Sequence, residues 1–214
     1  MIKHRFPRLR ILALLALIIA PAVQAHDALP GAHAFLSGLL HPLTALEHVL
    51  PLVALGMLAG QRGLERGQGL LVAFPLAFAI GAIGATWFGL SPTLFAVNAS
   101  TALVAGGLVA MALALPTMWL YVIVAIIGGI HGLANGLPAA MSIVPFILGA
   151  TLSAALLFAY AFAGTHYLLR RASQWIPIAV RAVGSWIAAF GVLTLALALP
   201  GATAATASLI TLFA

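Results

Sequence analysis

The stretch "HPLTALEHVLPLVALGMLAG", residues 41–60, decides the fold. Its second half is an unbroken apolar run, and its first half holds His41, Glu47 and His48. An apolar run of this length reads as a helix crossing a bilayer. The rest of the chain has the same character. Of its 214 residues, 64% are hydrophobic and 6% are charged, and the mean hydropathy is +1.20. A soluble domain carries about a quarter charged residues to build its surface. From Gly67 to Leu169 there is no Lys, Arg, Asp or Glu. The composition therefore specifies an all-α integral membrane protein and excludes a soluble enzyme. The formal net charge of +6 does not indicate nucleic acid, because the basic residues sit in short clusters beside apolar spans. Without cysteine, disulfides and thiolate metal sites are excluded.

Reading outward, "MIKHRFPRLR" is a basic segment, "ILALLALIIA" an apolar one, and "VQA" a small-x-small site ending at Ala25. This is the pattern of a cleaved signal peptide over residues 1–25, the alternative being an uncleaved first helix. Cleavage leaves His26-Asp27 at the mature N-terminus. Residues 26–214 are expected to form a bundle of six transmembrane helices, at about 37–59, 69–90, 94–115, 118–137, 142–169 and 177–199. The breaks carry Gly, Pro or charge, as in "GQRGLERGQG" and "RRASQWIP". Pro75 and Pro145 are placed near the starts of their spans, where a missing N–H costs least. Arg62 and Arg66 lie in the first connection, and Arg170, Arg171 and Arg181 flank the fifth. In a six-span chain these two connections face the same side, which the positive-inside rule makes cytoplasmic. The mature N-terminus then faces outward, into the periplasm of a bacterial inner membrane.

The acidic residues are Asp27, Glu47 and Glu65. Glu65 lies between two arginines and reads as a solvated loop charge. Glu47 is placed about two turns into a span, where a carboxylate faces the bundle interior or a wet cavity; the bland alternative is a hydrogen-bonded structural acid. His41 and His48 share a helix face but lie about 10 Å apart along a straight axis, too far to bind one ion at about 2 Å. Either His41 forms an adjacent outer site or the chain bends near Pro42, and Pro51 further loosens the helix. His131 on the fourth span is the natural partner for Glu47 and His48, with a packing role as its alternative. Asn135, four residues on, shares its face, able to donate or accept a hydrogen bond and a weaker ligand candidate. Gly128, Gly132 and Gly136 line one side of that helix, as a close packing seam requires. His33 and His26 precede the first span, either as a polar leader or as outer ligands. A free α-amine beside the His26 imidazole is able to chelate a divalent metal. His166 reads as interfacial. A set of imidazoles and carboxylate suits nickel, cobalt, zinc or iron. No nucleophile elbow, HExxH or phosphate loop is present, so no catalytic residue and no prosthetic group is expected.

The quoted stretch resembles the first-span signature of the HupE/UreJ family, with His41-Pro42 and Glu47-His48 at its His-Pro and Asp-His positions. "IHGLANGLP" is similar to the family's second motif, with His131 at its first histidine, and "RAVGSWIAAFGVLTL" resembles its last span. The resemblance implies a secondary permease for nickel or cobalt, associated with hydrogenase or urease maturation proteins. It carries over His41, Glu47, His48 and His131. Glu replaces the usual Asp, Asn135 stands where the family has a second histidine, and "TLSAALLFAYAFAG" lacks a fifth-span histidine. Two other functions fit the residues: a proton-relaying channel or carrier for a small solute, and a non-transporting scaffold for metalloenzyme assembly.

Overall fold

A computed structural model describes residues 30–88, 94–135, 142–171 and 173–198. The proposed signal segment, His26, Asp27, Gly136 and the tail beyond Pro200 lie outside the described residues. The described residues are helical apart from short connections. The helices are α1 (Pro30–Leu40), α2 (Leu46–Gln61), α3 (Leu64–Gly67), α4 (Leu70–Trp87), α5 (Phe95–Met111), α6 (Thr117–Ala134), α7 (Ile143–Leu169) and α8 (Ile176–Ala198). They pack as one unit that begins at Gly31.

Four helical stretches are long and apolar enough to cross a membrane: Leu64–Trp87, Thr117–Ala134, Ile143–Leu169 and Ile176–Ala198. The chain is thus an α-helical, multi-pass membrane protein. Two of the expected spans differ. The helix within 94–115 has 17 residues, about 26 Å at 1.5 Å per residue, against a hydrocarbon core of about 30 Å. The first span is not one helix over 37–59. Its two pieces, His33–Leu43 and Leu46–Gln61, meet at 75°.

The cause of that break is local. Pro42 sits in a 3-10 turn, His41–Leu43. The Thr44 backbone N–H and hydroxyl both donate to the His41 carbonyl, at 3.2 and 2.8 Å. Ala45 is then extended, at φ −131° and ψ 128°, and its carbonyl accepts from the N–H groups of His48 and Val49 to start α2. Glu47 therefore occupies the first turn of a new helix rather than a position two turns into an old one. The positive end of the helix dipole favours a carboxylate there. Pro51 lies further along α2 and removes the amide that would bond the Glu47 carbonyl. Pro75 is likewise inside α4 rather than at its start, which deprives Leu71 of its donor. Pro145 is in the first turn of α7, as expected.

α2 runs through the middle of the bundle and is buried from Ala54 to Gly60 without interruption. It packs on α7 and α5, while α4 pairs with α6 and α5 with α8. Apolar side chains fill the centre: Leu52, Leu55, Leu58, Phe74, Phe78 and Phe158. The Phe74 and Phe158 rings stack at 4.7 Å. Between lipid-facing helices hydrophobicity supplies little attraction, so close backbone approach matters more. Gly132 on α6 meets α4 so closely that an added Cβ would lie 2.0 Å from the Phe78 carbonyl oxygen. Gly128 faces Phe74, also on α4. The glycine face of α6 is a packing seam, the blander of its two readings.

The opposite ends of the bundle differ in polarity. Gln61 Nε2 donates to the Val109 carbonyl at 3.0 Å, and Arg181 Nε donates to the Ala110 carbonyl at 2.8 Å. Both donate to carbonyls in the last turn of α5, where i→i+4 helical partners run out; Val109 also accepts from the Ala112 amide. Arg62, Arg66 and Arg170 line one cavity at this end. The pairing of the two basic connections on one side is therefore met in the fold.

Candidate functional site

At the other end, the break before α2 folds His41 back over His48. Their ring centroids are 6.1 Å apart, where a straight helix would separate them by about 10 Å. The bend near Pro42 was one of the two options left open by the spacing, and it is the one the fold adopts. The His41 ring also packs 5.7 Å from Phe146 at the start of α7. His48 lies one turn inward and is 8% exposed. His131, on α6, is fully buried. The two Nδ1 atoms of His48 and His131 face each other at 3.3 Å, with the rings edge to face.

The hydrogen bonds around His131 determine which of its nitrogens is available. Thr101 Oγ1 donates to the Asn98 carbonyl at 2.7 Å. A hydroxyl has one proton, so its contact with His131 Nε2 at 2.7 Å is a bond it accepts. Nε2 therefore carries the hydrogen, and Nδ1 keeps its lone pair, aimed at His48. A bond of this kind, made by the ring's other nitrogen, fixes the tautomer and orientation of metal-binding histidines. Two imidazole nitrogens held at about 2.0–2.1 Å on a tetrahedral ion lie about 3.3 Å apart, close to the spacing here. His48 Nδ1–H donates to the lone pair on His131 Nδ1.

Replacing Thr101 with Val keeps the shape and removes the acceptor. If the imidazole pair is a metal site, the change is expected to lower affinity for a divalent transition metal by about 10–100-fold, with Thr101→Ser close to wild type. Isothermal titration of the purified protein with nickel or cobalt measures this. Unchanged affinity in Thr101→Val would remove the tautomer argument.

The Asn135 amide nitrogen serves its own helix. Its Nδ2 donates to the His131 carbonyl at 2.6 Å and closes the C-terminal end of α6. The Asn135 and Asn98 Oδ1 atoms are buried without a hydrogen-bond partner among the described residues. Glu47 is half-buried and adjoins His48 in sequence. His33 is exposed on α1. His166 stacks with Phe162 at the arginine end. Among the described residues no three His, Cys, Asp or Glu side chains converge to hold one ion at once. What the fold brings together is a file, His41 to His48 to His131, rather than a closed cage. Thr101 and Asn98 were missed in the sequence. The available signal was polar residues three apart in "NASTALV", inside an otherwise apolar helix.

Comparison with curated proteins and with solved structures returns no match. The family model described as HupE / UreJ protein matches residues 13–194, a stretch that contains all of α1 to α7 and the imidazole file. On that match, together with the residues that carry the resemblance, the chain belongs to the HupE / UreJ family.

Proposed function

We propose that this protein is a secondary permease that admits a divalent transition-metal ion, nickel or cobalt, through a bacterial inner membrane. In this reading the chain crosses six times, with the bent α1–α2 pair and the short α5 as two of the crossings. The arginine end faces the cytoplasm, and the mature N-terminus, after signal cleavage, faces the periplasm. The observation that carries the proposal is the pair of Nδ1 atoms of His48 and His131, 3.3 Å apart between packed helices, with His41 above them.

The file supports transport better than storage. Permeation needs sites strong enough to admit an ion and weak enough to release it. Two imidazoles with their Nδ1 atoms 3.3 Å apart, and no third His, Cys, Asp or Glu converging on them among the described residues, meet that condition. His41, with the leader residues His26 and His33, would capture the ion, and His48 and His131 would receive it in turn. An unpaired divalent charge in low dielectric is costly. Glu47, at the mouth of α2, supplies the compensating charge. No nucleotide-binding motif is present, so a gradient or a partner supplies the driving force. Proteins that mature hydrogenase or urease are the proposed consumers of the metal.

Uptake of radioactive nickel and cobalt into cells tests the proposal. Glu47→Gln and His48→Ala are each expected to reduce uptake at least about tenfold, on the scale of losing one metal-binding contact. Wild-type uptake in both variants would overturn it. A proton relay is the second reading, favoured by the continuous hydrogen-bonded series His48, His131, Thr101. Proton flux in liposomes without any metal requirement would select that reading.

A further inference from the structure

Three arginines, one histidine and one glutamate line a single cavity of about 370 Å³ at the arginine end: Arg62, Arg66, Arg170, His166 and Glu65. A neighbouring cavity shares His166 and Arg170 and adds Tyr167 and Arg171. The other basic groups nearby have protein partners. Arg171 donates to the Tyr167 hydroxyl and lies 4.6 Å over that ring, and Arg181 holds the Ala110 carbonyl. Arg62, by contrast, has its Nε enclosed by protein with no hydrogen-bond partner among the described residues. Burial, and then Arg66, hold its guanidinium below the usual arginine range.

Orientation of the chain needs basic residues near the helix ends. It does not need three of them turned onto one cavity, with one partly buried and its Nε unsatisfied. The enclosed Arg62 group calls for an acceptor, and Glu65 offers one carboxylate for three cations, of which Arg66 and Arg170 are exposed. A phosphate diester supplies one negative charge and the oxygen geometry that guanidinium groups bind in pairs. The depth of the cavity identifies the source. Tyr167 and Trp175, beside it in sequence, are 58% and 66% exposed, and such aromatic residues sit at the headgroup level of a bilayer.

We propose that the cavity bounded by Arg62, Arg66, His166 and Arg170 binds the phosphate of an anionic phospholipid from the leaflet at the arginine end. The site ties the first connection to the end of α7. Since α2 and α7 also carry His48 and the wall against His41, the lipid braces both helices of the imidazole file from the opposite side of the membrane. The assignment does not depend on what the chain transports.

The test is lipid retention by the full-length protein purified in detergent, read by native mass spectrometry. Phosphatidylglycerol, phosphatidylcholine and inorganic phosphate are supplied in separate arms. Each basic group near a membrane surface adds about fivefold to anionic lipid affinity. Arg62→Gln with Arg170→Gln is therefore expected to lower phosphatidylglycerol retention about 25-fold. Glu65→Gln removes the competing carboxylate and is expected to raise retention about fivefold, a gain that a misfolded variant cannot produce. Equal retention of phosphatidylcholine and phosphatidylglycerol by the wild type would overturn the proposal. So would unchanged retention in both variants, or displacement of the lipid by millimolar inorganic phosphate, which would assign the cavity to a soluble anion.

Discussion

Replacing His131 with Gln is expected to reduce nickel or cobalt uptake by about 100-fold or more, beyond the 10–100-fold that losing a hydrogen bond to a metal-binding histidine costs. His131 is fully buried and joins the two halves of the site, with Nδ1 toward His48 and Nε2–H donated to Thr101. Glutamine keeps a polar group able to bond Thr101, so the helix contact survives while the imidazole lone pair is lost. The measurement is metal uptake normalised to protein in the membrane, with thermal unfolding of the purified variant alongside. Normal uptake at normal abundance would remove His131 from the ion's path and leave it a packing residue. A fall in abundance matched by the fall in uptake would say the same.

The second large effect is structural. Gly132→Val is expected to destabilise the folded protein by about 3 kcal/mol or more, at the upper end of overpacking costs. An added Cβ at Gly132 would lie 2.0 Å from the Phe78 carbonyl oxygen and 2.9 Å from the Ala82 nitrogen, both backbone atoms of α4. Backbone cannot rotate aside as a side chain does, so α4 and α6 must separate, and His131, one residue away, moves with α6. Gly107→Ala and Gly164→Ala serve as controls, because a Cβ at either position meets nothing within 4 Å. Size-exclusion profile and melting temperature in detergent provide the readout. A Gly132→Val protein that melts like the wild type would mean that the α4–α6 seam is not as close as described.

Membrane class and the gathering of the two basic connections at one end were legible in the residues. So were the imidazoles of interest, since a histidine inside an apolar helix is conspicuous. The position of Glu47 was not. Counting residues from Ser37 placed it two turns into a helix, but the Thr44 hydroxyl bonds the His41 carbonyl and Ala45 extends. That competition between a side chain and the helix turns on small differences in local geometry that residue order does not carry. Asn135 was read as a weaker ligand able to hydrogen-bond; that its amide nitrogen caps α6 was not legible, because the same side chain offers both a donor and an acceptor. Thr101 was passed over because a threonine in an apolar helix usually bonds its own backbone, as it also does here with Asn98.

By itself the sequence determined that this chain is a bundle of apolar helices with the arginines of its two basic connections gathered at one end. Hydropathy and charge are sums over neighbouring residues, so they need no knowledge of the fold. Only the tertiary structure decided that His48 meets His131, 83 residues away, that Thr101 sets the tautomer, and that His41 bends back over them. Those distances depend on how glycine seams let helices cross and on where the first span breaks, and neither is a property of any one segment.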